Sequence, residues 1–457
     1  MRNNIILNAD SYKYSQFNQY PEGTEYVYSY IESRGGKYDE TVFFGLQAFI
    51  KEYLVYPITW ADIDEAEAII LAHGEPFNRE GWEYIMEKYD GYLPVEIKAV
   101  PEGTVVGVHN VLATIINTDP KCYWLTSFLE TALLRAVWYP TTVATNSREI
   151  KKVILDALER TGTPGDIAFK LHDFGARGVS SLESAGIGGA AHLVNFQGTD
   201  TVEALLFARR YYGADMAGFS VPAMEHSTVT SWTRDGEIDS YRNMVKKNGK
   251  PGGIVSAVSD SYDIYEACHL WGTELKQDIL DSGATLVVRP DSGHPATVVH
   301  DCMCILAEHF GYTTNEKGYD VLNNVRILQG DGINIESIKE ILEVLEASNF
   351  SADNVVFGQG GALLQIVNRD DQKFAMKASA IRVNGEWRDV FKDPITDPGK
   401  RSMKGRLKLV KDIDKYITIT SNDKMFSILH DELQTVFIEG NTPLDQTFAE
   451  IRERAQI

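Results

Sequence analysis

Along the first 150 residues the apolar positions change period repeatedly. Residues 27–31 alternate like a half-buried strand, and 62–73 carry the spacing of an amphipathic helix. A β-like stretch opens at 96–100 and resumes over 105–116. Residues 124–137 form an apolar helix candidate, and 147–161 a further helix with Ser147 placed as its cap. From about residue 165 a rhythm sets in. Short apolar runs occupy 167–171, 192–196, 218–221, 254–258, 285–288, 325–328 and 355–357, with 380–383 a candidate eighth. Each leads into a polar or Gly-rich turn and usually a helical pattern. Such units predict an α/β fold, an irregular β/α barrel, with a doubly wound sheet the weaker alternative. After residue 384 short β-like segments return at 416–420 and 435–438. The expected organisation is a barrel over 161–383 and a second α+β domain built from both chain ends, 1–160 and 384–457.

A chain of 457 residues exceeds what one core usually supports, which agrees with two domains. The net charge of −21 argues against non-specific binding to nucleic acid or anionic lipid. No apolar stretch is long enough to span a bilayer, and the start does not read as a signal peptide. Four cysteines without zinc-like spacing suit a reducing compartment, so a cytoplasmic enzyme without membrane or nucleic-acid partners is expected. The charge also sets a demand. A phosphorylated substrate would require cations concentrated locally, against the field of the whole chain.

Barrel enzymes place their chemistry at the C-terminal ends of the strands. Just past successive runs stand His172, Asp173, Phe174 and Arg177; Gly198 and Asp200; Ser220, Glu225 and His226; Ser259 and Asp260; Arg289 and Asp291. The last two runs lead into Gly330-Asp331-Gly332 and Gly358-Gln-Gly360-Gly361. Each motif alone is weak: Gly-Asp-Gly is more often a turn than a site, Arg-Pro-Asp reads equally as a surface turn with its own salt bridge, and His172-Asp173 as a satisfied core pair. Their recurrence at one phase of every unit points to a site. The glycine loops, the second leading into an expected helix over 362–367, suit a phosphate that must approach backbone N–H groups. Neither is a Walker loop or a dinucleotide fingerprint. Arg177, Arg289, Arg369 and Lys377 are the required cations, and Asp260 and Asp291 offer oxygen ligands for Mg²⁺. A phosphorylated sugar with a pyrophosphate leaving group would use all three devices.

These residues sit in longer runs, among them Leu171-His-Asp-Phe-Gly175, Arg177-Gly-Val-Ser-Ser181, Gly198-Thr-Asp-Thr201, Glu225-His-Ser-Thr228 and Arg289-Pro-Asp-Ser-Gly293. Through them, and over nearly the whole chain, the sequence resembles the nicotinamide phosphoribosyltransferases, type II phosphoribosyltransferases. The resemblance implies a homodimer with active sites at the subunit interface and transfer of phosphoribosyl from phosphoribosyl pyrophosphate to nicotinamide. Phe174, and Tyr12 from the partner subunit, would sandwich the pyridine ring. Asp200 would accept a hydrogen bond from the carboxamide and repel nicotinate. Arg289 and Asp291 would contact ribose and pyrophosphate, and Gly330, Asp331, Gly360 and Gly361 would cradle the 5′-phosphate. Arg177, with Arg34, Arg369 and Lys377 of the neighbouring subunit, would face the pyrophosphate. His226 would be phosphorylated by ATP, with Glu225 or Asp260 fixing its tautomer. Asp260 and Asp291 would contact Mg²⁺. Two departures stand out: Ala375 replaces a frequent serine, and the loop at 35–38 is short. The competing expectations are a nicotinate phosphoribosyltransferase and a non-enzymatic scaffold barrel.

Overall fold

The apolar runs between residues 254 and 359 become parallel strands. In the computed structural model, which describes residues 4–413 and 415–457, Ile254–Val258, Thr285–Arg289, Val325–Gln329 and Val355–Gln359 lie side by side in parallel register. Leu171–Asp173 and Gly198–Thr199 extend this sheet beyond Val355–Gln359. Parallel bridges from Gly198 to Phe219 and from Ala223 to Ser256 join the two outer strands through residues 218–224. An irregular β/α barrel results. Its strands are β-branched and buried because both faces are covered. The helix Ile335–Ala347 shows how the outer layer forms. Asn334 caps it reciprocally with Ser337, and Ile338, Ile341, Leu342 and Leu345 put one apolar stripe into the core.

The second unit is antiparallel. Its sheet runs Glu386–Asp389, Phe374–Val383, Thr24–Ser33, Val111–Asn117, Val95–Ala99, Gln434–Ile438, so both chain ends share one sheet. Helices such as Trp60–His73 and Arg79–Tyr89 bury their apolar faces in the same core.

Several local expectations need correction. Residues 192–196 are not a strand: the helix Leu182–Leu193 runs through His192, and the strand is Gly198–Thr199. A short apolar run cannot by itself distinguish a buried helix end from a strand. Residues 380–383 are not an eighth barrel strand. They end Phe374–Val383, which pairs antiparallel with Thr24–Ser33. Ser147 does not cap a helix, because Glu130–Thr161 is continuous; its hydroxyl instead meets His192 Nδ1 at 2.9 Å. The expected helix over 362–367 is only Gly361–Leu364. The units divide at Thr145/Asn146 and Val367/Asn368, with Ala208–Ala214 in the antiparallel unit, instead of at 160 and 383. The four cysteines are free, three of them buried. No helix among the described residues is long and apolar enough to cross a membrane.

Candidate active site

At the end of Leu171–Asp173 the chain turns through Phe174, whose N–H donates to the Gln359 carbonyl at 2.9 Å. The Phe174 ring occupies the space a β-carbon on Gly358 would need, so Gly358 is fixed by close approach. A β-carbon on Gly330 would stand 3.5 Å from Asp291 Oδ1 and 3.6 Å from Phe174 Cε2. An aromatic ring and a carboxylate from two strand ends thus meet around a glycine at the end of a third. The Asp291 carboxylate has no protein partner among the described residues.

Asp200 follows Gly198–Thr199 and is exposed. Its N–H donates to the Asp173 carbonyl at 2.9 Å, and the Ser220 hydroxyl donates to its Oδ1 at 2.6 Å. One carboxylate oxygen of this exposed residue is therefore held by Ser220. Asp173 itself is fully buried. Desolvation raises its carboxyl to about 6, the Gly175 N–H opposing that rise and the nearby Asp200 charge adding to it.

His226 opens a short helix, His226–Thr230. Its Nε2 lies 3.0 Å from Asp260 Oδ1, and Asp260 Oδ2 accepts from the Asp291 N–H at 3.1 Å and the Ser292 hydroxyl at 2.6 Å. Asp260 is nearly buried at 6% exposure while His226 is open at 45%. Of the two carboxylates left open by the sequence, Asp260 is the one that orients the imidazole. Glu225 is taken instead by the Ser227 hydroxyl. A carboxylate accepting from Nε2–H leaves Nδ1 as the basic nitrogen.

Two of the four expected cations, Arg177 and Arg289, belong to the barrel unit. Arg177 is exposed and has no protein partner among the described residues. Arg289 has a buried Nε without a hydrogen-bond partner. Its carbonyl accepts from the Ser259 N–H at 3.1 Å, which locks adjacent strand ends together. The turn at Gly178 approaches Gly361 Cα, with Gly361 open on its outer side, and Gly360 packs over the Phe174 carbonyl. The Asp331 carbonyl accepts from Gln329 Nε2 at 2.9 Å, leaving its side chain exposed. Among the described residues no group of three or more His, Cys, Asp or Glu side chains could hold a metal.

Tyr12, Arg34, Arg369 and Lys377 all lie in the antiparallel unit. Tyr12 is 55% exposed, with the Lys13 ammonium 5.2 Å from its ring centre. Arg34 Nε donates to Glu32 at 2.7 Å, and its Nη2 is buried without a partner. Arg369 pairs with Asp370 at 3.1 Å and Lys377 with Glu130 at 3.5 Å, where Lys13 also binds. The loop after Arg34 is pinned to the Arg369 turn by the Lys37 N–H on the Asp371 carbonyl at 2.8 Å. No sequence pattern marks Asp173 or Ser292 as a partner of Asp200 or Asp260. Both stand inside the motifs at 171–175 and 289–293, but which neighbour faces inward depends on the strand register.

Residues 169–441 match the model of the nicotinate phosphoribosyltransferase family, and residues 4–97 that of a nicotinamide phosphoribosyltransferase N-terminal domain. The chain is 54% identical to a nicotinamide phosphoribosyltransferase of Xanthomonas campestris, over 99% of this chain and 98% of that protein. It is 36% identical to one of Acinetobacter baylyi, over 98% and 96%. Among solved structures, a nicotinate-nucleotide pyrophosphorylase from Pyrococcus furiosus shares the fold with a TM-score of 0.64 at 17% identity, covering 99% of this chain and 94% of that one. Human nicotinic acid phosphoribosyltransferase does so at 0.57 and 15%, covering 98% and 92%.

Proposed function

Because the chain belongs to the nicotinamide phosphoribosyltransferase family, we infer that it joins nicotinamide to phosphoribosyl pyrophosphate, giving nicotinamide mononucleotide and pyrophosphate in NAD salvage. The observation that carries the reading is the meeting of Phe174, Asp291 and Gly330 around one point. In this reading a pyridine ring would stack on Phe174 with its nitrogen toward a ribosyl diphosphate held beside Asp291 and Gly330. The pyridine nitrogen already carries its lone pair, so the chain need not deprotonate a nucleophile. Phe174 orients the ring, with stacking on the order of 1 kcal/mol beyond area burial. Asp200, aimed by Ser220, accepts from the carboxamide NH₂ and disfavours a carboxylate at the same place. As the bond to pyrophosphate breaks, Arg177 and Arg289 offset the charge on the departing oxygens.

The donor set fits Mg²⁺ held mainly by substrate. Asp291 offers a carboxylate free of protein partners, and Asp260 is largely committed to His226, Ser292 and the Asp291 N–H. Bound there, Mg²⁺ would screen the leaving pyrophosphate.

ATP coupling through His226 is the second part of the proposal. The Asp260 contact supports it by leaving Nδ1 free to attack the terminal phosphorus of ATP, with ADP departing and a phosphohistidine formed. The third part is a homodimer in which Tyr12, Arg34, Arg369 and Lys377 of one protomer complete the barrel mouth of the other. All four stand in the antiparallel unit, outside the barrel unit that carries Phe174 and Asp291.

Pyrophosphate release measured with nicotinamide or nicotinate, each with and without ATP, tests the reading. Turnover preferring nicotinamide and accelerated by ATP is expected. Equal or better turnover of nicotinate would overturn the substrate choice. His226→Ala should keep basal transfer and lose the acceleration, and full acceleration in that variant would remove the phosphohistidine.

A further inference from the structure

Phe174 and Asp200 read different parts of the same small ring, and they reach the pocket from different strands. Their separation is set beneath them. The Asp173 carbonyl accepts from the Asp200 N–H at 2.9 Å. The Asp173 carboxylate accepts, through Oδ1, from the Gly175 N–H at 2.7 Å, closing the turn that carries Phe174. The Phe174 N–H is fixed in turn to the Gln359 carbonyl. One residue therefore holds both walls.

The space around this carboxylate is shaped for it. A β-carbon on Gly175 would stand 3.0 Å from Oδ1, and one on Gly189 would stand 3.0 Å from Oδ2. The Thr201 methyl packs on the same side. Asp173 is 0% exposed, and among the described residues Oδ2 has no hydrogen-bond partner. The Thr199 and Thr201 hydroxyls lie close enough to moderate its acidity without forming a well-aligned bond to that oxygen. Burying a carboxylate with one oxygen unsatisfied opposes folding. What it secures is geometric: the turn that carries Phe174 cannot open without breaking the Gly175 N–H bond to the Asp173 carboxylate, and Asp200 cannot shift without breaking its N–H bond to the Asp173 carbonyl.

We propose that Asp173 is a positioning residue of the nicotinamide pocket, setting the distance between the stacking face of Phe174 and the amide-reading carboxylate of Asp200. This rests on the nicotinamide reading above. Asp173 touches no substrate; it acts through the two residues that do. Loss of its side chain should free the Phe174 turn, while the main-chain bond to Asp200 survives. The defect should therefore fall on nicotinamide and spare phosphoribosyl pyrophosphate.

Steady-state kinetics of Asp173→Asn and Asp173→Ala test this. Asp173→Asn keeps an acceptor for the Gly175 N–H and should stay within about threefold of wild type. Asp173→Ala should raise KM for nicotinamide about tenfold or more, leave KM for phosphoribosyl pyrophosphate within about twofold, and narrow the preference over nicotinate. Should the alanine variant fail to fold, Asp173→Val, which also lacks an acceptor for the Gly175 N–H, provides the same comparison with a smaller cavity. A side chain that serves only the fold would lower Tm and the active fraction while leaving both KM values alone, and that result overturns the proposal. A parallel rise in both KM values overturns it too. Absence of nicotinamide turnover in the unmutated chain would instead sink the functional reading.

Discussion

At the residue scale, two carboxylates one strand apart are treated in opposite ways. Asp200 is left in solvent and aimed by Ser220, while Asp173 is taken out of water. Burial holds the Asp173 carboxyl at about 6 against an ordinary 3.8. The folded chain thus binds that proton more tightly than the unfolded chain. Stability falls as pH rises through this window, and the ionised group opposes folding above it. Asp173→Asn should therefore gain on the unmutated chain between pH 4 and just above pH 6, by up to about 3 kcal/mol, and the gain should fade below pH 4. Denaturant midpoints across that range check the sign. Such a residue is hard to find from sequence. His172, Asp173 and Phe174 are consecutive, and only the pairing of Asp173 with Gln359 and Thr199 decides which of them points into the helical layer.

Among the elements, the strands most legible in the sequence are those buried on both faces. Ile254–Val258 is found at its observed bounds, and three others within one or two residues, because β-branched runs between turn residues have few competing readings. Legibility fails where the deciding partner is distant. His192 is helical because its ring is fixed between Ser147 and the Gly198 carbonyl, which no local pattern reveals. The stretch 380–383 alternates like any strand, and only its pairing with Thr24–Ser33 assigns it to the antiparallel sheet. The positions of these strand ends are legible nonetheless, since polar and glycine residues follow each run directly. Gly358 is the element-scale weak point, because the strand leaves no room there for a side chain under Phe174. Gly358→Ala should push the ring aside, raising KM for nicotinamide more than KM for phosphoribosyl pyrophosphate. It should also cost about 1–3 kcal/mol in stability, seen by denaturation alongside the kinetics.

For the whole molecule, charge and pairing divide the cations into two sets. In a chain of net charge −21, Arg177 and Arg289 have no carboxylate partner among the described residues, whereas Arg34, Arg369 and Lys377 are each paired with an acid within 4 Å. The first set is ready for an anion within the barrel unit. The second is already satisfied electrostatically in its own unit. If a homodimer shares these residues between protomers, a Tyr12→Ala chain and a Phe174→Ala chain, each with impaired nicotinamide turnover, should complement. Unfolding and refolding them together should give mixed dimers with one intact site, restoring about a quarter of the unmutated activity. Activity no greater than the mean of the two variants alone would refute the shared site.

The central position of Thr24–Ser33 has a consequence for the growing chain. One neighbour, Val111–Asn117, follows early, but the other, Phe374–Val383, is translated only after the entire barrel. Until then this strand keeps one edge of unpaired N–H and C=O groups open to any passing strand. Nascent chains halted before residue 374 should accordingly be sticky along that edge, and the barrel is in effect a long insertion whose completion closes it.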